Sequence, residues 1–433
     1  MRKLIILLLL PVQFVFAQNE VSLNDCYSWA RENYPNLKQA EIWTEITSLR
    51  KENNQTNHLP TVTLNGQATY QSDVTHIGIS VPNVSVPSVA KDQYKAYAEL
   101  KQSIWDGGVT QANAELEDAI LQSNLSQVEV EVYKLNEQVS QAFFTALAVD
   151  KQREVLAQQK KVLQEKLRKV ESGVRNQVIE KSAALELEAE ILNLDQSDLQ
   201  LDAAKRTATR MLSVLTGRTI SSDSKLLFNT LPVDFNGDLT RPEQELFSAQ
   251  KNQLEKQSDL LTKTRNPKLF GFGQAGYGRP GLNMLNDKFD SYYMVGVGLS
   301  WNVFDWKKTN REKQMLHLQS DRITRQEETF TQNIQLLLVQ QNEQIAKLEK
   351  LMETDSKMVA LRAEIAQTSA SKLENETITT SDYIQDVQAE TIAKLNRELH
   401  QIQLNEAKEK YRLIQGKTGS KQSQFSVTVF SSN

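Results

Sequence analysis

Two patterns of apolar positions alternate along this chain. In the segment 61–72 every second residue from 62 to 70 is apolar or glycine, with uncharged polar residues between. This is the period of a β-strand that has one apolar and one polar face. The segment 94–104 also alternates, with charged residues among its polar positions, and the second half repeats the pair at 268–277 and 293–304. We predict two strand hairpins, each strand about 11 residues long, which is the length that a tilted strand needs to cross a bilayer.

Between the strands the apolar period becomes that of a helix. From residue 121 to residue 170, fifteen positions recur every 3.5 residues, and only Arg153 and Lys160 among them are not apolar. A heptad repeat sustained over this length predicts a left-handed coiled-coil seam. The predicted helix has about 62 residues, which at the helical rise span roughly 95 Å.

The other long helical segments carry the same seam less regularly. In the return helix of the first half, Asp198 and Lys205 interrupt it, and in the long helix of the second half Gln341 and Asp355 lie in it. Each half therefore combines one strand hairpin with one long helical hairpin. The order of the segments places both strand hairpins at the same end of the long helices.

The two halves are copies of one pattern. Residues 60–70 read PTVTLNGQATY and residues 267–277 read PKLFGFGQAGY, so Pro, Gly, Gln, Ala and Tyr recur at an offset of 207 residues. After the second strand of each half stands WDG at 105–107 or FDW at 304–306. A repeat of this length predicts one body built twice rather than separate domains.

The predicted organisation is a signal peptide, two repeats, a linker and a tail. Residues 1–17 have a basic start, an apolar core and Val15-x-Ala17, as in a secretory signal with its cleavage site. The boundaries are 18–217 for the first repeat with helices 109–171 and 178–215, 218–240 for the linker, 241–419 for the second repeat with helices 306–371 and 381–415, and 420–433 for the tail.

Composition narrows the function. The chain has 433 residues and a formal net charge of −4, without the basic cluster that a nucleic-acid partner would require. Beyond residue 17 no apolar run is long enough for a transmembrane helix. Cys26 is the only cysteine, and the four histidines have no metal-ligand spacing. No set of side chains suggests catalysis, so we predict neither enzymatic activity nor a cofactor or metal.

The strands determine what the chain could do. An open sheet edge is not tolerated in hydrocarbon, and four strands are too few to close a barrel. Two copies would supply eight strands and three would supply twelve, and the larger barrel leaves room for a channel. The alternative is a small sheet packed on a secreted coiled-coil scaffold. Aromatic residues near the strand ends predict the interfacial belts of a barrel: Tyr70, Trp105, Tyr277, Tyr293 and Trp301.

With these features the chain resembles the TolC-like outer membrane efflux protein family. The repeat, the proline before each first strand, the aromatic-Asp-Gly turn and the long helices carry the resemblance. It implies a mainly α-helical fold with four strands per chain in a shared barrel, formed by a homotrimer in the outer membrane of a Gram-negative-type envelope. It also implies a long periplasmic helical tunnel, a periplasmic adaptor protein and an inner-membrane pump. A type I protein-secretion channel uses the same outer-membrane part, so that alternative stays open.

The resemblance also assigns residues to the turns between the long helices. Asp382 matches an aspartate of the family's periplasmic tip, Thr379 matches a tip threonine, and Glu376 replaces a glycine six residues before the aspartate. In the first repeat Gly173 matches, and the acidic position is displaced to Glu180. Three copies of each carboxylate would form a ring that favours cations at the tunnel mouth and contacts the adaptor. The alternative is solvated charge at a helix start, where acidic residues are favoured anyway.

Overall fold

The computed structural model describes residues 20–75, 90–230 and 232–417. The predicted signal peptide and tail lie outside these residues. The chain forms two compact units, which we call the helical unit and the strand unit. The helical unit comprises Met1–Leu37, Val130–Pro242 and Phe330–Asn433, and the strand unit comprises Lys38–Glu129 and Glu243–Thr329.

Helices account for most of the described residues, which confirms the predicted fold class. They are α1 (Leu23–Asn33), α2 (Gln39–Gln55), α3 (Val109–Arg175), α4 (Lys181–Thr216), α5 (Pro242–Lys263), α6 (Lys308–Glu374) and α7 (Thr380–Gln415). The strands are β1 (Glu20–Ser22), β2 (Thr61–Tyr70), β3 (Asp92–Trp105), β4 (Lys225–Leu227), β5 (Lys268–Arg279) and β6 (Asp290–Ser300). None of the described helices combines the length and the apolarity that a membrane crossing requires.

The predicted seam of α3 is buried. Twelve of its fifteen positions are buried, and Arg153, Lys160 and Leu167 are half-buried. The charges that interrupt the seam pair across it with α4. The Arg153 guanidinium lies 2.7 Å from Asp198 and 3.0 Å from Asp202, and Lys160 pairs with Asp195. The interruptions therefore fix the register of α3 against α4 instead of weakening the hairpin.

In the second helical hairpin, formed by α6 and α7, polar residues also pair across the two helices. Asp355, which stands in the seam of α6, lies 2.6 Å from Nδ1 of His400 on α7. Lys408 of α7 pairs with Glu349 of α6 at 2.8 Å. The half-buried seam residue Asp355 is therefore matched by a polar partner on the facing helix, because a buried polar group without a partner is costly.

A compact apolar core lies in the helical unit. Tyr27, Phe143, Phe144 and Leu212 are among its buried members. The end of α7 is fixed beside it, since the Leu413 carbonyl accepts hydrogen bonds from the Tyr133 hydroxyl at 2.5 Å and from the Arg241 guanidinium at 3.1 Å. The short strands β1 and β4 pair in parallel, also in this unit.

The strand unit contains one antiparallel sheet in the order β2-β3-β5-β6. Strand β6 ends at Ser300, although the pattern predicted a strand over 293–304. The reason is the partner strand. Lys268, the first residue of β5, pairs with Ser300, so the described part of this chain offers residues 301–304 no continuation of that ladder.

Candidate functional site: an open sheet and two helix turns

The sheet of the strand unit has one continuous apolar face. Residues that pair across antiparallel strands share a face, and the register places Leu64 opposite Ala98, Ala98 opposite Ala275, and Ala275 opposite Tyr293. The large side chains on this face are solvent-exposed, Leu64 at 85% and Val297 at 74%. An apolar surface of this kind indicates contact with lipid or protein.

The opposite face is polar and aromatic. The amide of Gln274 donates to the carboxylate of Glu99 at 3.1 Å, and the ammonium of Lys101 lies 4.9 Å from the ring centre of Phe270. Strands that are apolar on one face and polar on the other are typical of membrane barrels, in which the polar face lines the interior.

The five predicted belt residues come to opposite ends of the sheet. Tyr70 is the last residue of β2, Tyr277 is the third residue from the end of β5, and Tyr293 is the fourth residue of β6, so all three lie toward the end of the sheet where β6 begins. Trp105 ends β3, and Trp301 directly follows β6, so these two lie at the other end. All five are exposed. The placement fits two interfacial rows, and the belt role stays a prediction.

One aromatic cluster at the tyrosine end was not predicted. The ring of Phe289 stacks on Tyr277 at 5.6 Å and on Tyr94 at 6.3 Å. Beside it, Arg279 pairs with Asp92 at 3.0 Å and with Asp287 at 3.4 Å. Phe289 and Arg279 lie in the segment 278–292, which the sequence predicted only as a loop. Their partners Tyr94 and Asp92 are far away in sequence, so the apolar pattern could not predict these contacts.

The turns α3–α4 and α6–α7 have the same backbone form. Two residues after the end of each long helix stands a residue with left-handed φ, Gln177 at 61° and Glu376 at 57°. The next amide donates back into the helix, to Gly173 in the first turn at 3.0 Å and to Lys372 in the second at 2.9 Å. The structural counterpart of Glu376 is therefore Gln177, and not Gly173, which the sequence comparison had aligned with the tip glycine.

Gly173 has a different role. A β-carbon at this position would lie 2.5 Å from Cδ1 of Ile179, so the glycine permits the return chain to approach α3 closely. Glu376 instead occupies the left-handed region that glycine favours, at a cost of about 1 kcal/mol for a residue with a side chain.

Thr379 and Asp382 form the N-terminal cap of α7. The Thr379 hydroxyl donates to Oδ2 of Asp382 at 2.7 Å, and the Asp382 amide donates to the Thr379 hydroxyl oxygen at 3.2 Å. The hydrogen bond from the Thr379 hydroxyl lowers the pKa of the Asp382 carboxyl group. In the first turn Glu180 stands at the cap position of α4 without a capping hydrogen bond. Asp382 thus stabilises a helix end, whereas Glu180 has no such bond.

The two turns border a cleft of about 650 Å³. Its lining includes Lys166, Lys169, Glu180, Glu376, Ile378 and Thr379. The structure therefore brings three of the five predicted tip residues, Glu180, Glu376 and Thr379, to one cleft. Asp382 and Gly173 are not among the residues that line it.

A charged contact that the sequence did not predict joins α3 to α6 in the lining of the cleft. The nearly buried Lys166 donates to the Ala370 carbonyl at 3.2 Å and to Glu374 at 3.4 Å, and its ammonium lies 5.3 Å from the ring of Tyr383. Lys169 donates to the same carboxylate at 3.2 Å, and this bond lowers the pKa of Glu374. Among the described residues, no group of three or more His, Cys, Asp or Glu side chains is placed to hold a metal ion.

Comparisons with known proteins agree with this geometry. Residues 26–218 match the family model described as outer membrane efflux protein. No curated protein matches the chain in sequence.

Solved structures match nearly the whole chain. The outer membrane protein VceC of Vibrio cholerae aligns with a TM-score of 0.64 at 11% identity, over 92% of this chain and 97% of its own. The outer-membrane channel OprN aligns with a TM-score of 0.66 at 14% identity, over 92% and 90%. The open MtrE outer membrane channel of Neisseria gonorrhoeae aligns with 0.64 at 15% identity, over 91% and 89%. At these identities the likeness establishes the fold.

The family match and the fold together confirm the predicted resemblance and indicate an outer-membrane localisation. They are those of channel proteins and not of enzymes.

Proposed function

Since the chain resembles the TolC-like outer membrane efflux proteins in sequence and in fold, we propose that it is the exit duct of a tripartite export system. In this proposal three copies form a twelve-stranded barrel in the outer membrane. Substrates pass from an inner-membrane pump, through a periplasmic adaptor and this duct, to the outside. No reaction is catalysed.

The observation that carries the proposal is the open sheet of the strand unit. It has four strands, and β2 and β6 are its edges. Because one face is apolar and exposed and the other is polar, the sheet suits a wall between lipid and water. An open edge in hydrocarbon leaves backbone groups unpaired, so such a wall requires further copies to close it.

In this proposal the helical unit supplies the periplasmic part of the duct. The two helix turns form its mouth, and the cleft that Lys166, Glu180 and Thr379 border is the place where an adaptor docks. Gly173 and the Thr379–Asp382 cap shape the turns of this mouth, and Glu376 and Asp382 also bring negative charge to it.

Membrane fractionation with chemical cross-linking tests the assembly. We expect the protein in the outer-membrane fraction, with a cross-linked species of three chains. Purified trimers in planar bilayers should conduct ions. A soluble monomer would overturn the proposal, as would a membrane-bound trimer without conductance.

The charge of the mouth can be tested separately. Replacement of Asp382 by Asn should weaken the block of the channel by multivalent cations in single-channel recordings, because three carboxylates would be lost at once. Thr379→Ala is the matched control, since it removes the cap and keeps the charge. If both variants change the block equally, the end of α7 and not the carboxylate controls it.

Glu180→Gln is the corresponding variant of the first turn. Glu180 has no capping bond to lose, so we expect its replacement to change the cation block without loosening α4. An unchanged block in both Asp382→Asn and Glu180→Gln would remove the carboxylates from the gate.

A further inference from the structure

The two strand hairpins of the chain have the same register. Thr61 of β2 pairs with Lys101 of β3, and Lys268 of β5 pairs with Ser300 of β6. Lys268 is the counterpart of Thr61 at an offset of 207 residues, and Ser300 is the counterpart of Lys101 at an offset of 199 residues. Each residue of one hairpin therefore has a known counterpart in the other.

The chain also shows how one repeat joins the next. Strand β3 of the first repeat pairs with β5 of the second, and Ala98 lies opposite Ala275. The same junction, made from the second repeat of one copy to the first repeat of another, would join β6 to β2. The counterparts of Ala98 and Ala275 are Val297 and Ala68.

We propose that β6 pairs with β2 of the next copy in the register that places Val297 opposite Ala68 of the partner subunit. This inference rests on the proposed function, and it specifies the one interface that the shared barrel needs. The same register places Leu299 opposite Gly66 of the partner subunit and Ser300 opposite Asn65 of the partner subunit.

Three features of the chain agree with this register. Val297 and Ala68 belong to the apolar face of their own sheet, so the pairing continues one apolar face from copy to copy. No atom lies within 4 Å of a β-carbon built on Gly66, which leaves space beside it for a leucine. The register also extends β6, because Trp301 then lies opposite Leu64 of the partner subunit. The predicted strand 293–304 would thus be completed by a neighbouring copy.

The helices of the strand unit support the same junction. Within the chain α5 is held to α3, since Lys256 pairs with Glu115 at 2.9 Å. By the repeat, Lys256 corresponds to Leu49 of α2 and Glu115 corresponds to Gln314 of α6. In the single chain Leu49, Gln314 and the neighbouring Met315 are all solvent-exposed. The ion pair inside the chain thus becomes an uncharged contact between copies, in which Leu49 meets Gln314 of the other copy beside its Met315.

A second contact between the repeats is also polar inside the chain and has apolar counterparts on the surfaces that would meet between copies. The Asn266 side chain donates to the Gly107 carbonyl at 2.7 Å. Their counterparts are Leu59 and Trp306, which are 60% and 79% exposed. Gly107 and Trp306 share a left-handed backbone, with φ of 77° and 54°, so the local fold is retained while the side chains change. Trp306 therefore has a partner of matching chemistry in Leu59 of the partner subunit.

The helical unit gives independent support. Helices α4 and α7 contact each other within the chain, and Thr391 of α7 is only 6% exposed. Its counterpart on α4 is Leu192, which is 67% exposed, in a row with Leu185 and Leu199 at intervals of seven residues. A heptad row on the outer face of a helix predicts a further helix packed against it. The repeat identifies that helix as α7 of the next copy.

Engineered disulfides test the register. Directly opposed residues have β-carbons about 4.5–5.5 Å apart and residues two positions away about 7–8 Å, so only the opposed pair approaches the separation of about 4 Å that a disulfide needs. The variants are Val297→Cys with Ala68→Cys on one face and Ser300→Cys with Asn65→Cys on the other. Together they sample both types of antiparallel pair, whose Cα spacings differ. Cys26 can stay, because it is buried and burial raises the pKa of its thiol to about 12.

After mild oxidation in the membrane, we expect at least one of these pairs to convert most of the chain to covalent oligomers of up to three chains on a non-reducing gel. The matched controls are Val297→Cys with Gly66→Cys and Val297→Cys with Tyr70→Cys, which shift the register by two residues on the same face. Each single-cysteine variant controls for random collision.

The outcomes separate the two proposals. Efficient cross-linking of a shifted pair, in a protein that amine-reactive reagents still capture as a trimer, overturns the register and leaves the channel proposal intact. Lack of oligomers with every disulfide pair and every chemical cross-linker overturns the channel proposal itself. Cross-linking of Val297 with Ala68, without cross-linking of the shifted pairs, supports both.

Discussion

The two units of this chain treat their apolar side chains in opposite ways. In the helical unit Phe143 and Leu212 are completely buried in a core that the chain builds by itself. In the strand unit Leu64 and Val297 stand exposed on the face of an open sheet. The contrast fits the proposal that this face of the sheet contacts lipid and that its edges contact further copies of the chain.

The largest effect should come from the core of the helical unit. Phe143→Ala removes a ring with 0% exposure that packs edge-on against Phe144 at 5.8 Å. The cavity should lower the free energy of unfolding by about 3–5 kcal/mol. The check is the denaturant midpoint of the detergent-solubilised protein. Leu64→Ala in the exposed sheet should change the free energy of unfolding by no more than about 0.5 kcal/mol. An equal loss of stability in both variants would contradict the contrast between a buried core and an exposed sheet.

The second effect concerns the two faces of the sheet. Leu64→Arg places a charge on the apolar face, where a barrel in a bilayer loses about 2–4 kcal/mol at the midplane. Asn65→Arg is the matched control on the polar face and should be tolerated. The measurement is the fraction of protein that reaches the outer membrane as a heat-resistant oligomer. If Asn65→Arg were the more damaging change, the assignment of the faces would be reversed.

The third prediction sharpens the contrast between contacts inside a chain and contacts between chains. Leu49→Lys should lower the melting temperature of the oligomer in detergent, because it removes roughly 1–2 kcal/mol of apolar burial per interface. Adding Gln314→Glu recreates between copies the ion pair that Lys256 and Glu115 form inside the chain, and should recover part of the loss. Gln314→Glu alone should be nearly neutral. An oligomer indifferent to all three changes would place Leu49 outside the interface.

The smallest effect is expected at the second helix turn. Thr379→Ala removes the cap of α7 and should cost about 1 kcal/mol of local stability, visible as faster hydrogen exchange at the Asp382 amide. Because the folded state lowers the pKa of Asp382, its contribution is complete above the unfolded pKa, about 3.9, and is lost as the pH falls through the lower folded value. If the protection of the Asp382 amide against hydrogen exchange did not change as the pH is lowered, the capping role of the Asp382 carboxylate would be contradicted.

The first turn supplies the converse variant. Glu180 and Ala183 are the counterparts of Thr379 and Asp382, and the α4 cap position makes no side-chain capping bond. Glu180→Thr with Ala183→Asp should therefore install the missing cap and slow exchange at the start of α4. A gain in the double variant without a loss in Thr379→Ala would show that the two turns are not equivalent.

Sequence reasoning located most of the fold because its signals are local. The heptad row of α3 and the alternation of β2 each follow from the geometry of one element. The partners of the interrupting charges were beyond reach, since Arg153 and Asp198 meet only when two helices pack. At the turns the residue types were found but not all their roles. Asp382 was predicted at a gate, which stays a prediction, and its role as the cap of α7 was not foreseen. Lys166 gave no signal at all, because a lysine on a helix ordinarily points to solvent.

By itself, the sequence determined that this protein is built twice, that its strands are two-faced and that its helices are long, because periodicity is a property of neighbouring residues. Only the tertiary structure decided which residues face one another. It paired Ala98 with Ala275, and so defined how one repeat joins the next. It also left β2 and β6 as open edges, since backbone hydrogen bonds between strands depend on register and not on composition. The end of the ladder at Ser300 follows from the same cause: the strand stops where its partner within the chain begins.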